Sequence, residues 1–133
     1  MTIHIPAVTL LATVHSPGIK RMTDQKPIEI DIAGVKAKLD AGDDFLFVDC
    51  REQTEYDSVR IEGTTLLPMS ELKDRVGELE PHKSREIIVH CHHGGRSLRV
   101  AMWLREQGYE TATSMAGGID AWAVEIEPGM ARY

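Results

Sequence analysis

Two uninterrupted apolar runs, Phe45–Val48 and Ile87–Val89, limit what this chain can fold into more than any other feature. Neither alternates with polar residues, so neither suits a sheet with one wet face. Runs of this kind are buried on both sides, as strands of a parallel sheet are. The segments around them alternate in type from residue 27 onward. Ile28–Ile30 reads as a short strand, and Asp31 caps a helix bearing Ile32, Val35 and Leu39 on one face, ended by Gly42. A short helix over Glu52–Ser58 and a strand over Thr65–Leu67, stopped by Pro68, follow the first run. Ser70 then caps a helix with Leu72, Val76 and Leu79 at helical spacing. The strand Ile87–His90, a helix over Ser97–Gln107 stopped by Gly108, and a strand over Thr111–Met115 come next. Gly117-Gly118 leads into a last helix carrying Trp122. The pattern predicts an α/β fold in three layers, a mostly parallel central sheet covered by helices on both faces.

At 133 residues the chain is long enough for one domain with its own core. A net charge of −6 argues against general affinity for nucleic acid or for acidic membranes. Residues 1–26 read as an N-terminal extension and 27–133 as the domain. The apolar stretch within Met1–Val14 is too short to span a bilayer and lacks the basic start of a signal peptide. The expectation is a cytoplasmic protein with no membrane contact, its oligomeric state left open. Two cysteines, Cys50 and Cys91, are too few for a secreted disulfide scaffold.

Cys91 is the candidate nucleophile. It stands where the strand ending at His90 hands over to a helix, through His92-His93-Gly94-Gly95-Arg96-Ser97. Gly94 and Gly95 are expected to let the backbone curl, since only glycine takes positive φ without steric cost. A curl ahead of a helix N-terminus points amides inward and favours an anion, and a thiol placed there is shifted toward its thiolate. Asp49-Cys50-Arg51 follows the other buried strand. Ligands of open α/β sheets bind at the carboxyl ends of strands, so both turns are expected on one edge.

Three segments carry a family resemblance: Phe47-Val48-Asp49-Cys50-Arg51-Glu52, the loop Cys91–Ser97, and Ala116-Gly117-Gly118-Ile119-Asp120-Ala121-Trp122. In this order they resemble the rhodanese-like sulfurtransferase family, over roughly residues 27–126. Arg60-Ile61-Glu62-Gly63-Thr64 departs from the family's usual His-Ile-x-Gly-Ala, and Cys50 stands where an aliphatic residue is more usual. The resemblance implies sulfur transfer without a cofactor. Cys91 thiolate would take the outer sulfur of thiosulfate or a related donor, then yield it to cyanide, a thiol or a protein acceptor.

The resemblance and the loop chemistry together give each neighbour an expected role. Arg96 holds the donor's anionic end, its charge being permanent. His92 and His93 either contact the anion or face solvent, and His90 is structural. Ser97 is a candidate N-cap. Asp49 accepts hydrogen bonds from the loop, while Arg51 pairs with Glu55 or Glu52. Arg60 is a candidate for the pocket mouth. Cys50 is a buried filler or the partner of Cys91 in a reversible disulfide. No metal is expected, because the histidines lack ligand spacing. Two rivals stay open. His90-Cys91 followed by Arg96 echoes the cysteine phosphatases and arsenate reductases, with only four residues between Cys91 and Arg96. A persulfide carrier or interaction module with little turnover is the other.

Overall fold

The computed structural model describes residues 26–133; the expected extension, including Ile3–Val14, lies outside the described residues. Strand β1 (Glu29–Ile30) turns into helix α1 (Ile32–Ala41) at Asp31, whose carboxylate accepts from Gly34 N at 2.8 Å. Gly42 ends α1 at φ +71°, the left-handed closure that glycine makes cheaply. Next come β2 (Phe45–Asp49), α2 (Gln53–Ser58) and β3 (Thr65–Leu66). Helix α3 is a single turn, Leu72–Arg75, set between 3-10 segments at Met69–Glu71 and Val76–His82. The chain closes with β4 (Glu86–His90), α4 (Gly95–Glu106), β5 (Ala112–Met115) and α5 (Gly118–Glu125).

The strands form one five-stranded sheet in the order β1-β5-β4-β2-β3, every neighbouring pair parallel. Pleating explains the two apolar runs. Val48, Ile87 and Val89 point into one core with Leu72, Leu79, Val100 and Leu104, beneath α3 and α4. Phe47 and Ile88 point into the other, with Ile32, Val35, Ile119 and Trp122 beneath α1 and α5. Full burial of such side chains contributes about 1.5–3 kcal/mol each. A polar residue at Phe47, Val48 or Ile87–Val89 would strand a hydrogen-bonding group in one layer or the other.

Three sequence expectations need correction. Ser70 caps no regular helix; it lies inside the first 3-10 segment and donates its hydroxyl to Glu52 Oε1 at 2.6 Å. Gly77 and Pro81 account for the broken helix, one by backbone freedom and the other by its missing N–H. Leu39, expected on the buried face of α1, is 39% exposed. Ser97 is not the N-cap of α4, because the helix already begins at Gly95 with Gly94 as its cap.

Candidate active site

β2 and β4 run in register, Val48 beside Val89 and Asp49 beside His90. Cys50 and Cys91 come next, and Cys50 N extends the ladder by donating to His90 O at 3.0 Å. Both thiols follow Val48 and Val89 onto the α4 face, where both are free and buried.

Cys91 Sγ accepts from the amides of Gly94 at 3.1 Å and Ser97 at 3.3 Å, and lies 3.4 Å from Ser97 Oγ. The far side of the loop aims those amides. The carbonyls of Cys91 and His92 are taken by Ile119 N at 2.8 Å and Asp120 N at 3.1 Å, in the first turn of α5. With the carbonyls anchored outward, the loop turns the N–H groups of Gly94 and Ser97 toward the sulfur. The amides of His92, His93, Gly95 and Arg96 have no hydrogen-bond partner among the described residues. They are uncommitted donors in the same loop as two already committed.

Glycine is required at two points in this arrangement. Gly94 sits at φ +109°, and a Cβ there would press on Gly117 N at 3.1 Å. At Gly118, φ +62°, a Cβ would stand 2.4 Å from His92 O and 2.5 Å from Cys91 O. Gly95, expected to share in the curl, has no positive φ and open space around it. Any residue that accepts a helix start would serve there.

The Cys91 thiol is held well below its ordinary value. The neighbouring Cys50 thiol is the largest cause; burial opposes this, and the Ser97 hydroxyl and the Ser97 and Gly94 amides add to it. Cys50 is pushed up, first by the Cys91 sulfur and then by burial. Of the two thiols, Cys91 is the one whose surroundings favour the charged form.

The charged neighbours pair differently from expectation. Asp49 accepts nothing from the loop. Its carboxylate takes Arg51 Nε at 3.0 Å, Arg51 Nη2 at 2.7 Å and the Arg51 amide at 3.0 Å, all fully buried. Arg51 therefore pairs with Asp49 rather than with the side chain of Glu55 or Glu52, and its remaining N–H groups go to Val59 O at 2.7 Å and Tyr133 Oη at 2.9 Å. A buried guanidinium needs all these partners, since an unpaired one would be costly. Arg96 instead binds Glu55 bidentately, at 2.7 and 2.9 Å. This ion pair holds α2 to α4.

His92 stacks on Tyr133, with centroids 3.8 Å apart and rings 5° from parallel, and on His93 at 3.8 Å. His93 is exposed, 3.9 Å from Asp120. His90 is buried with Nδ1 3.3 Å from Cys91 O, and burial holds it below its usual value, so it stays neutral at physiological pH. Arg60 covers the Tyr56 ring at 4.7 Å and lines a cleft of about 200 Å³ with Tyr56, Ile61, Glu62 and Gly63. Among the described residues no group of three or more histidine, cysteine or carboxylate side chains could hold a metal ion. Nor is any helix among them long and apolar enough to cross a membrane.

Glu55, Tyr133, Ser114 and Gly118 complete the site. The sequence offers Glu55, with Glu52, as a partner for Arg51; its carboxylate instead takes Arg96 and Tyr133. Hydrogen bonds from Arg96 and Tyr133, against some burial, hold Glu55 down to about 2 from an ordinary 4.5. Because the folded value is depressed, its stabilising contribution is full above about pH 4.5 and is lost as pH falls toward 2. Glu55→Gln should therefore flatten the acid limb. Urea midpoints at about pH 6 and about pH 3 should differ less in the variant than in the parent. Equal differences would remove Glu55 from the acid response.

A parallel sheet carrying a low-pKa thiol in an amide cradle at its carboxyl edge defines a class, the α/β domains built around an activated cysteine. Residues 31–125 match the family model of the rhodanese-like domain, and the chain belongs to that family. It is 34% identical over 95 residues to a sulfurtransferase of Allochromatium vinosum, covering 71% of this chain and 87% of that protein. It is 32% identical over 95 residues to a protein of Mycobacterium tuberculosis named "probable adenylyltransferase/sulfurtransferase MoeZ". That match covers 71% of this chain but spans only 24% of the longer protein. A rhodanese-related protein from Thermoplasma volcanium superposes with a TM-score of 0.67 at 26% identity, covering 80% of this chain and all of that one.

Proposed function

We propose that this protein is a sulfurtransferase that carries a sulfane sulfur on Cys91, between thiosulfate or a related donor and a thiophilic acceptor. One observation carries the reading: the buried Cys91 sulfur accepts from the amides of Gly94 and Ser97, in a loop whose other amides have no partner among the described residues. In the first step the thiolate attacks the outer sulfur of thiosulfate. The S–S bond of the donor breaks, its electron pair leaves with sulfite, and a Cys91 persulfide anion remains. Cyanide then attacks the terminal sulfur and departs as thiocyanate, or a thiol takes it as a new persulfide. The Cys91 thiolate returns, with no net oxidation of the protein.

The amides of His92, His93, Gly95 and Arg96 are the natural partners for the donor's oxygens and for the persulfide charge. Gly94 shapes the cradle and Ser97 supplies two donors to it. Arg96 contributes position through Glu55, while Asp49 and Arg51 brace the neighbouring turn. Cys50 is read as a donor neighbour whose proton stabilises the thiolate. A protein acceptor fits the same chemistry, and the name of the mycobacterial relative, which joins sulfur transfer to adenylyl transfer, supports that direction.

The cysteine phosphatase rival meets a specific obstacle. Its arginine would have to face a phosphate, and here Arg96 is tied by two hydrogen bonds to a carboxylate. The test is intact mass after incubation with thiosulfate. A gain of one sulfur atom, removed again by cyanide with release of thiocyanate, is expected, alongside no hydrolysis of an aryl phosphate. Phosphate release without sulfur gain would reverse the assignment.

A further inference from the structure

Behind the cradle, on β5, Ser114 Oγ lies 2.7 Å from Ser97 Oγ, and both hydroxyls are fully buried. We propose that Ser114 is a positioning residue for the Cys91 sulfur, its hydroxyl fixing that of Ser97 as a donor to Sγ. The inference rests on the sulfur-transfer reading and deepens it.

Ser97 has one hydroxyl proton and three places to send it: Cys91 Sγ at 3.4 Å, Gly94 O at 3.3 Å and Ser114 Oγ at 2.7 Å. Two hydroxyl oxygens at 2.7 Å must have one proton between them. If Ser97 supplied it, nothing would be left for the sulfur. If Ser114 supplies it, the Ser97 proton is released toward Sγ, and the Ser97 oxygen is polarised as the better donor. Gly94 O does not need that proton, because it already accepts from Leu98 N at 3.1 Å. Ser114 has no other side-chain hydrogen bond among the described residues. Its backbone is fixed from both sides, in register with Val89 of β4 and donating from its own N to Ile28 O at 2.8 Å. The donor is thus mounted on a central strand rather than on a loop, as a preorganised group should be.

The reaction uses this pair in both half-steps. When thiolate attacks the donor, charge leaves Sγ for the new outer sulfur, and the demand on Ser97 slackens. When an acceptor takes that sulfur, Sγ is the leaving group and regains its charge. The Ser114–Ser97 chain is then a donor aimed at a charge that develops late. The other titratable or charged groups near Sγ are Cys50 and Asp49 at the end of β2, His90 at the end of β4 and Arg96 on α4. None of them hydrogen-bonds to the Ser114 hydroxyl, so its removal breaks no bond of theirs.

The experiment is a pH titration of the Cys91 thiolate by its ultraviolet absorbance in the full chain, with Cys91→Ser as the blank and no sulfur donor present. Ser114→Ala should raise the thiol pKa by about half a unit to one unit, a roughly three- to tenfold shift in the ionisation constant. Ser114→Thr, which keeps the hydroxyl, should restore the parent value. In the Ser97→Ala background, Ser114→Ala should add nothing further, because its effect passes through Ser97. An unshifted Ser114→Ala titration, a threonine variant that behaves like alanine, or an additive double variant overturns the proposal. The readout involves no turnover, so the proposal can fail while sulfur loading survives, or stand while loading fails.

Discussion

Cys91→Ser should leave the domain folded and reduce sulfur transfer from thiosulfate to cyanide to the uncatalysed background. The side chain is 1% exposed, and serine is nearly isosteric with it. Its oxygen can accept from the same Gly94 and Ser97 amides that now reach sulfur at 3.1 and 3.3 Å. The cost in stability should stay within about 1 kcal/mol, or a shift in Tm of a few degrees. Chemistry is another matter. A serine hydroxyl in this cradle remains un-ionised, since even several units of depression leave an alcohol far above neutral pH, and oxygen bound to sulfane sulfur offers no ready leaving group. The sulfur adduct should vanish from the mass spectrum together with turnover. Transfer that persisted in a folded Cys91→Ser protein would place the sulfur on another residue, and Cys50 would be the first to test.

Gly118→Ala should impair the same reaction from the opposite side of the loop. The substitution places a non-glycine residue at φ +62°, which costs about 1–2 kcal/mol by itself. The added Cβ also meets main-chain atoms, His92 O at 2.4 Å and Cys91 O at 2.5 Å, which cannot rotate away as a side chain would. The loop must lift off α5, breaking the bonds to Ile119 N and Asp120 N that hold the carbonyls outward. Gly63→Ala is the matched control. It carries the same kind of backbone strain at φ +86° with nothing within 4 Å of the new methyl. Both variants should lower Tm by several degrees, at about 4 °C or so per kcal/mol for a domain of this size. Only Gly118→Ala should also reduce transfer by an order of magnitude or more and raise the Cys91 pKa. Equal activity in the two would show that the amide cradle does not depend on its seat against α5.

The layers and their order were legible because the buried strands leave a strong mark. Phe45–Val48 and Ile87–Val89 admit few readings, and Asp31, Gly42 and Gly108 punctuate as local chemistry requires. The Ser70 helix was misread because hydrophobic spacing survives a switch between α and 3-10 winding, so Leu72 and Leu79 are buried either way. Within the site, Cys91, Gly94 and Ser97 stood out by their adjacency. The partners of Arg51 and Arg96 did not. A bidentate ion pair depends on which carboxylate the tertiary fold delivers, and Glu55 is separated from Arg96 by 41 positions. Tyr133 is further still from Glu55 and Arg51, with no local pattern to mark it. Ser114 was hidden in a strand where a serine reads as indifferent.

The pleat that sets Val48 and Val89 in one layer and Phe47 and Ile88 in the other also governs how this protein can be altered. Removing or adding a single residue upstream of position 91 within its strand would rotate the sulfur to the wrong side, toward tryptophan and away from its amides. Lengthening the turn after that position carries no such penalty. Redesign for a bulkier donor is therefore confined to the stretch between the sulfur and the fourth helix.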